Sequence, residues 1–300
     1  MQTLALFIVT VLIWGTTWFA VALQVGPVPA LVSVFYRFAL AALVLNVALV
    51  ASGRFVTPER RHQPWLVAQA VCIFSLNFIC FYNAAAYVHS GLISVVFSLA
   101  TIFNSLNARL FFGDRISARM WLAAAFGAGG LALLFGRDAF VEVNVATLKG
   151  VGLSALGTLL FSWGNMVSRR NSAAGVPPVI ANAWSMAYGA LVLLALIVVT
   201  RTPVVAPPDG RYASALVYLA VIGSVVGFTT YLMLVQRLGS SRAAYATVLF
   251  PILALAISTL FEGYRWTALG GVGLALCLTG NVVMFAPARL DGFVRRGAAR

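Results

Sequence analysis

Charged residues are scarce in this chain. Asp, Glu, Lys and Arg make up 9% of its 300 residues, whereas soluble domains carry roughly 25%. Apolar residues make up 62%, and the mean hydropathy is +0.97. This balance excludes a water-soluble catalytic or binding domain and indicates a protein embedded in a lipid bilayer.

Acidic residues are especially few, and all seven fall in predicted loops or at predicted helix ends. A carrier driven by protons or sodium ions usually keeps a carboxylate inside the membrane to bind the coupling ion. We therefore expect a facilitator or an exchanger rather than an ion-driven pump, with Glu262 at the end of helix 9 as the main exception. The seven are Glu59, Asp114, Asp138, Glu142, Asp209, Glu262 and Asp291.

Groups that carry catalysis or hold cofactors are equally few. His62 and His89 fall in loops on opposite faces of the membrane, and the single lysine, Lys149, is not part of a glycine-rich phosphate loop. Three cysteines, Cys72, Cys80 and Cys277, lie inside predicted helices, and no histidine cluster accompanies them. We therefore interpret all three as small buried hydrophobic residues. We expect no metal site, no cofactor and no ATP-driven step.

Ten apolar stretches of membrane-spanning length are present instead. A spanning helix needs ~20 mostly apolar residues, and a helix satisfies its backbone polar groups in lipid. The first stretch is too long for a signal peptide and lacks a basic start, so we count it as a retained helix. The sequence predicts an all-α polytopic membrane protein with ten transmembrane helices, near residues 3–23, 30–50, 65–87, 91–112, 116–135, 150–167, 179–199, 213–235, 243–261 and 267–285.

The second half of the chain repeats landmarks of the first at a nearly constant displacement. Trp14-Gly15 in helix 1 corresponds to Trp163-Gly164 in helix 6, 149 positions later. The Gly-x-Arg-x-Ser motif from Gly113 corresponds to Gly-x-Arg-x-Thr from Gly263, 150 positions later. Five crossings is an odd number, so the two units would have opposite orientations, as in secondary transporters built from inverted repeats. We predict a first five-helix repeat at 1–139, a second, inverted five-helix repeat at 140–287 and a basic cytoplasmic tail at 288–300.

The net charge of +13 follows a sided pattern. Fourteen positive residues fall in loops on one side of the predicted topology and five on the other. Cytoplasmic loops carry the excess of positive charge, so both termini are predicted to be cytoplasmic. The basic tail then anchors to anionic lipid headgroups, and the lipid bilayer, not nucleic acid, is the expected partner.

These motifs resemble the EamA-like family of the drug/metabolite transporter superfamily over essentially the whole chain. The matching pieces are Trp14-Gly15, the Arg-Phe-Ala-Leu-Ala-Ala-Leu run from Arg37, the Gly-Asp-Arg-Ile run from Gly113, and Pro251 in the middle of helix 9. Within the superfamily the chain most resembles bacterial aromatic amino-acid exporters. The resemblance implies a ten-helix inner-membrane exporter with a central cavity that works by alternating access.

Three positions depart from the family pattern or from the repeat. Asp114 replaces the more usual Glu, Thr101 lies where the second half has Pro251, and Met186 lies where the first half has Arg37. The exact substrate therefore does not follow from the resemblance.

Arg37 is the one charged residue well inside a predicted span. It lies about seven residues from the outer end of helix 2 and thus ~10 Å deep at ~1.5 Å per residue. An intramembrane charge usually faces a cavity or a partner, which makes Arg37 a candidate for capturing a substrate carboxylate. The alternative is pairing with helix-end carbonyls or snorkelling to the headgroups.

Aromatic and amide side chains within the spans outline a candidate substrate site. The alternative for the amides is hydrogen bonding between helices, and for the aromatics a place in the interfacial belts. An aromatic, weakly charged cavity suits amino acids and similar small zwitterions. Trp163, Tyr82 and Trp14 lead because they lie away from the interfaces. The candidate substrate-binding residues are Trp163, Tyr82, Trp14, Asn77, Arg37, Tyr245 and Asn104.

Pro251 and a set of glycines concern motion and packing. Pro251 removes a backbone hydrogen bond in mid-helix and should kink helix 9; it is a candidate hinge, with a static bend as the alternative. Glycines crowd helices 5 and 10, which allows close helix approach and indicates packing between repeats or between protomers. A monomer or a homodimer is expected.

The leading functional prediction is a broad-specificity secondary transporter that exports amino acids, aromatic ones included, and related small metabolites. Efflux of drugs or of other metabolites is the second interpretation. A membrane-embedded enzyme is a remote one, because such enzymes need metal ligands or an acid/base pair. A channel would need a pore ring or an oligomer.

Overall fold

Ten helical regions make up the part of the chain that the structure, a computed structural model, describes: residues 2–26, 28–136, 144–238 and 246–285. No strand occurs in these ranges. In chain order the regions are α1 (Gln2–Ala22), α2 (Ala30–Ala51), α3 (Gln63–Val71, Cys72–Leu76 and Asn77–Ala84), α4 (Ser90–Ser98 and Ala100–Phe112), α5 (Ala118–Gly136), α6 (Val145–Ala173), α7 (Pro178–Thr200), α8 (Gly210–Val217, Tyr218–Val226 and Gly227–Leu238), α9 (Ala246–Phe261) and α10 (Ala268–Phe285).

Eight of these regions are long and apolar enough to cross a membrane. In α9 and α10 the corresponding apolar helices are shorter, Leu249–Phe261 and Ala268–Val283 within the described residues. The chain is therefore an all-helical polytopic membrane protein, as the sequence predicts.

The largest difference from the predicted spans is α6, predicted at 150–167 but running from Val145 to Ala173. Its start is fixed by Asn144, whose side chain accepts a hydrogen bond from the Thr147 backbone N–H (3.2 Å). Its two arginines do not end the helix, because their side chains find partners at the surface. Arg170 lies over the Trp65 ring, 3.9 Å from its centroid, and Arg169 pairs with Asp114.

Two helices contain π-helical segments at positions related by 149 residues. In α3 the Ser75 hydroxyl donates to the Ala70 carbonyl (3.1 Å), and in α8 the Ser224 hydroxyl donates to the Leu219 carbonyl (2.9 Å), five residues back in both cases. A π-helical turn widens a helix locally and often marks a functional site.

Two helix ends also correspond. Gly113 after α4 and Gly263 after α9 have φ angles of 72° and 71°. This left-handed conformation favours glycine because it lacks a Cβ atom. The same backbone turn therefore closes both helices, 150 residues apart.

The packing between helices follows a paired pattern. Three major contacts join helices that are five apart in chain order: α5 with α10, α2 with α7, and α4 with α9. The other major contacts come in equivalent pairs. If each helix is exchanged for its counterpart five helices away in the other half, α1–α9 becomes α4–α6, α1–α8 becomes α3–α6, and α2–α8 becomes α3–α7. Each half of the chain thus makes equivalent contacts with the other.

Glycines allow the close packing of α5 on α10. A Cβ atom on Gly130 would lie 2.4 Å from Cys277 Sγ and 2.6 Å from the Gly273 carbonyl oxygen. One on Gly280 would lie 2.8 Å from the Ala123 carbonyl oxygen. The small-residue surface predicted on these helices therefore packs them against each other within one chain.

We predict that Gly130→Ala destabilises the fold by roughly 1–3 kcal/mol, because the new methyl group meets backbone atoms of α10. The thermal midpoint of the protein purified in detergent measures the effect. Gly129→Ala is the matched control, since the nearest atom to a Cβ there is Leu276 Cδ1 at 4.0 Å. Equal midpoints for the two variants would contradict the packing described.

Candidate functional site

A cavity lies between helices of both halves of the chain. Its free volume is about 70 Å³, smaller than the roughly 300–1,000 Å³ that small-molecule sites occupy, so it must widen to admit a substrate. We call it the central cavity. Its lining is Trp14, Thr17, Trp18 and Val21 of α1, Arg37 of α2, Asn77, Phe78 and Phe81 of α3, Phe97 of α4, Phe161 of α6, Gly223 and Phe228 of α8, and Phe250 of α9.

Aromatic rings form most of this wall, and Trp18 connects them. Its ring centroid lies 5.3 Å from that of Phe81, 5.5 Å from Phe97 and 6.4 Å from Phe250. Phe97 also packs edge-on against Phe161, at 4.8 Å. These residues belong to five different helices, so the rings tie the two halves together around the cavity.

Glycines of α8 bring it against α1. A Cβ atom on Gly223 would lie 2.8 Å from Thr17 Cγ2, and one on Gly227 would lie 2.8 Å from Trp14 Nε1. The Trp14 ring also packs on Tyr231, with centroids 4.9 Å apart. Because Gly223 and Gly227 have no side chains, the indole of Trp14 can pack directly against α8 at the edge of the cavity.

Arg37 is the one charged group in the lining, and only 3% of its surface is exposed. Its Nε donates to the Ser224 hydroxyl (3.2 Å), at the π-helical segment of α8. Its guanidinium lies 4.4 Å from the Phe78 ring centroid, and the Tyr82 hydroxyl interacts with it. Its Nη1 has no hydrogen-bond partner among the described residues. Arg37 therefore does not snorkel to the headgroups: it faces the cavity with one donor unused.

Asn77 places a second unused donor in the lining. Its side chain is fully buried, and its Oδ1 accepts a hydrogen bond from the Phe78 backbone N–H (2.8 Å). Its Nδ2 has no partner within the described part of the chain. The amide therefore offers a ligand a donor that has no other partner, whereas its oxygen already accepts one hydrogen bond.

Tyr82 lies beside this polar group but is not part of the lining. It is 1% exposed, and its hydroxyl donates to Gln24 Oε1 (2.8 Å). Gln24 is also 1% exposed, and its Nε2 lacks a partner among the residues described. The Gln24–Tyr82 pair thus supports Arg37 from outside the cavity.

The remaining predicted site residues lie elsewhere. Trp163 is 38% exposed and donates through Nε1 to Asn107 Oδ1 (3.3 Å), and Asn104 accepts from Asn165 Nδ2 (3.3 Å). Both contacts join α4 to α6, and neither residue lines the central cavity. Tyr245 lies outside the described residues. Pro251 is inside α9, directly after the lining residue Phe250.

Several lining residues were not predicted. Trp18 follows Trp14 by one helical turn, and Phe81 follows Phe78 at helical spacing, so their shared faces could have indicated them. Phe97, Phe161 and Phe250 carry no such signal, because the chain contains 21 phenylalanines and lipid-facing rings look the same in sequence.

Glu262 has a contact that its position at a helix end did not predict. Its carboxylate accepts hydrogen bonds from the Ser90 hydroxyl (2.6 Å) and from the Ser258 hydroxyl, and Ser258 Oγ accepts from the Gly91 N–H (2.9 Å). The group ties the end of α9 to the beginning of α4. We call it the α4–α9 clasp.

Asp114 forms an ion pair with Arg169 across 2.6 Å, and both side chains are partly exposed. The hydrogen bond from Arg169 holds the pKa of the Asp114 carboxyl below its usual value. This pair joins the end of α4 to α6 and does not reach the central cavity.

The long apolar helices around this cavity place the chain among the polytopic membrane proteins. The model of the EamA-like transporter family matches residues 1–136 and 148–286. The chain belongs to this family, which confirms the family predicted from its motifs.

Curated relatives cover most of the chain. The uncharacterized inner membrane transporter YedA of Escherichia coli (strain K12) is 25% identical over 277 residues, 89% of this chain and 87% of that protein. Protein PagO of Salmonella typhimurium is 22% identical, over 86% and 84% of the two chains. The chloroplastic WAT1-related protein At3g02690 of Arabidopsis thaliana is 27% identical, over 88% and 65%.

One solved crystal structure shares the fold, with a TM-score of 0.68 over 98% of both chains at 19% identity. The comparisons together show a multi-pass membrane protein of a transporter family.

We predict that Glu262→Ala lowers the free energy of unfolding by about 1–3 kcal/mol, because the buried hydroxyls of Ser90 and Ser258 lose their acceptor. Thermal unfolding in detergent measures this. Glu59→Ala is the control, since Glu59 pairs with Arg61 at the surface, where the side chains are 68% and 71% exposed. If the two variants are equally stable, the clasp contributes nothing.

Proposed function

We propose that the protein is an inner-membrane secondary transporter that exports amino acids, aromatic ones included, and related small metabolites by alternating access. The observation that carries the proposal is the central cavity: aromatic rings from both halves of the chain surround a buried guanidinium with a free donor. Rings bind an apolar side chain, and the donor binds a carboxylate.

An inverted repeat is part of this proposal, with the first repeat at 1–139, the second at 140–287 and the tail at 288–300. Three features support it: the two stretches matched by the family model, the paired helix contacts, and the local structures that recur after 149 or 150 residues. A cavity between two inverted units can open to either face when one unit rocks against the other.

The proposed orientation places both termini in the cytoplasm. The excess of arginine in the even-to-odd connections (α2–α3, α4–α5, α6–α7 and α8–α9) and at the tail supports it. The turn at Gly113 then lies inside and the turn at Gly263 outside. The α4–α9 clasp lies at the outer end of the cavity, where it would have to open and close during export.

Pro251 is the proposed hinge. It interrupts the backbone hydrogen bonding of α9 directly beside Phe250, which lines the cavity. Movement at this point would displace the end of α9 and with it the clasp.

The proposed transport is facilitated diffusion or exchange. The acidic residues within the described ranges, Glu59, Asp114, Asp209 and Glu262, all lie just outside the ten helical regions. A coupling-ion site inside the membrane usually contains a carboxylate. A monomer suffices for this mechanism, because one chain supplies the whole cavity wall; a homodimer would place two independent sites side by side.

Counterflow in proteoliposomes tests the proposal. We expect saturable uptake of labelled phenylalanine that rises when the vesicles are preloaded with unlabelled phenylalanine, and that persists without an imposed proton or sodium gradient. Trp18→Ala should raise the KM severalfold, since an aromatic pair contributes roughly 0.5–1.5 kcal/mol.

The control variant is Trp121→Ala, because Trp121 on α5 is 62% exposed and does not line the cavity. Flux of an unrelated drug or metabolite with none of any amino acid would overturn the substrate, and flux that stops when the gradient collapses would overturn the mechanism.

A further inference from the structure

The polar groups of the central cavity are donors without matching acceptors. Besides the indoles of Trp14 and Trp18, the polar side chains of its described lining are Arg37, Asn77 and Thr17. Arg37 Nη1 and Asn77 Nδ2 are buried donors that have no partner in the described ranges. A buried polar group without a hydrogen-bond partner costs free energy. A ligand that supplies an acceptor to these two donors removes that cost and therefore binds more tightly.

The same cavity offers an ammonium group few hydrogen-bond acceptors and no negative charge among the described residues. The described lining includes no carboxylate, and the Asn77 carbonyl oxygen already accepts one hydrogen bond, from the Phe78 N–H. Thr17 donates to the Trp14 carbonyl (2.8 Å), which leaves its oxygen as one neutral acceptor. The Arg37 charge repels a second cation in a setting of low polarity.

We propose that this cavity selects its substrate by the carboxylate alone, so that its preferred class is aromatic or apolar monocarboxylic acids without an α-amino group. This inference rests on the proposed transport function and narrows its substrate: amino acids are accepted through their carboxylate and are discriminated against by their ammonium group. Arg37 and Asn77 bind the carboxylate, and the aromatic wall binds the remainder.

The arrangement behind Arg37 fits this role. Its Nε is held by Ser224, so the guanidinium is fixed with Nη1 free. Tyr82 interacts with Arg37, and its hydroxyl donates to Gln24 Oε1. The Nε2 of the same Gln24 side chain is a third unpaired donor. The excess of donors over acceptors therefore extends past the lining, and the local environment favours an anion.

Three ligands that share a phenyl ring on a two-carbon chain separate the contributions of the two head groups. 3-Phenylpropionate has the carboxylate only, phenethylamine has the ammonium only, and L-phenylalanine has both. Equilibrium binding to the purified protein is measured by quenching of tryptophan fluorescence, since Trp14 and Trp18 line the cavity. We expect 3-phenylpropionate to bind at least tenfold more tightly than phenethylamine and more tightly than L-phenylalanine. Phenethylamine binding as tightly as 3-phenylpropionate, or no binding of 3-phenylpropionate, would overturn the inference.

Variants at Asn77 test the donor directly. Asn77→Leu should weaken 3-phenylpropionate binding about tenfold without weakening phenethylamine binding, and Asn77→Asp should reverse the preference between them. Asn83→Leu, on the exposed side of the same helix, is the control. Unchanged ligand preference in both Asn77 variants would remove Asn77 from the site and overturn the two-donor assignment.

These experiments distinguish failure of the transport proposal from failure of the carboxylate inference. If 3-phenylpropionate binds as expected but no solute shows counterflow, the transport proposal fails while the carboxylate site stands. If aromatic solutes show counterflow but the three ligands bind in the opposite order, the transport proposal stands and the carboxylate inference fails.

Discussion

A bilayer offers its proteins no hydrogen-bond partners, and this constraint shapes the interior of the chain. Most of its buried polar side chains are satisfied within the protein, either by carbonyls of their own helix or by networks such as Gln69 with Asn171 and Asn182. Within the described residues, three buried side chains with an unpaired donor, Gln24, Arg37 and Asn77, lie at or beside one cavity, whereas the unpaired His62 Nδ1 lies in the turn before α3. The incomplete pairing coincides with the aromatic wall, and this is why we assign the substrate to that place.

The scaffold and the site differ in symmetry. Helix contacts, left-handed turns and the serine-linked π-helical segments recur in both halves of the chain. The charge does not recur, since Met186 occupies in the second half the position of Arg37 in the first. The two halves thus provide similar walls, and Arg37 on one of them makes the cavity asymmetric.

The sequence predicted the helical architecture and the family because both depend on local patterns: apolar length, helix-end motifs and their displacement. It identified Arg37, Asn77 and Trp14 in the cavity because a charge, an amide or an indole within a span is unusual. It could not separate Phe97 or Phe250 from lipid-facing rings, since that depends on helix rotation. Trp163 was a leading candidate because it lies away from the predicted interfaces, and in the structure its indole donates to Asn107 between α6 and α4.

The central claim is that the two halves have opposite orientations and share the cavity between them. Its most direct test uses chains in which Cys72, Cys80 and Cys277 are replaced by alanine and one cysteine is introduced at Arg115 or at the equivalent Arg265. In intact cells a membrane-impermeant maleimide should label Arg265→Cys at once and Arg115→Cys only after permeabilisation. Labelling of both positions from the same side would contradict the inverted arrangement and the alternating-access mechanism that depends on it.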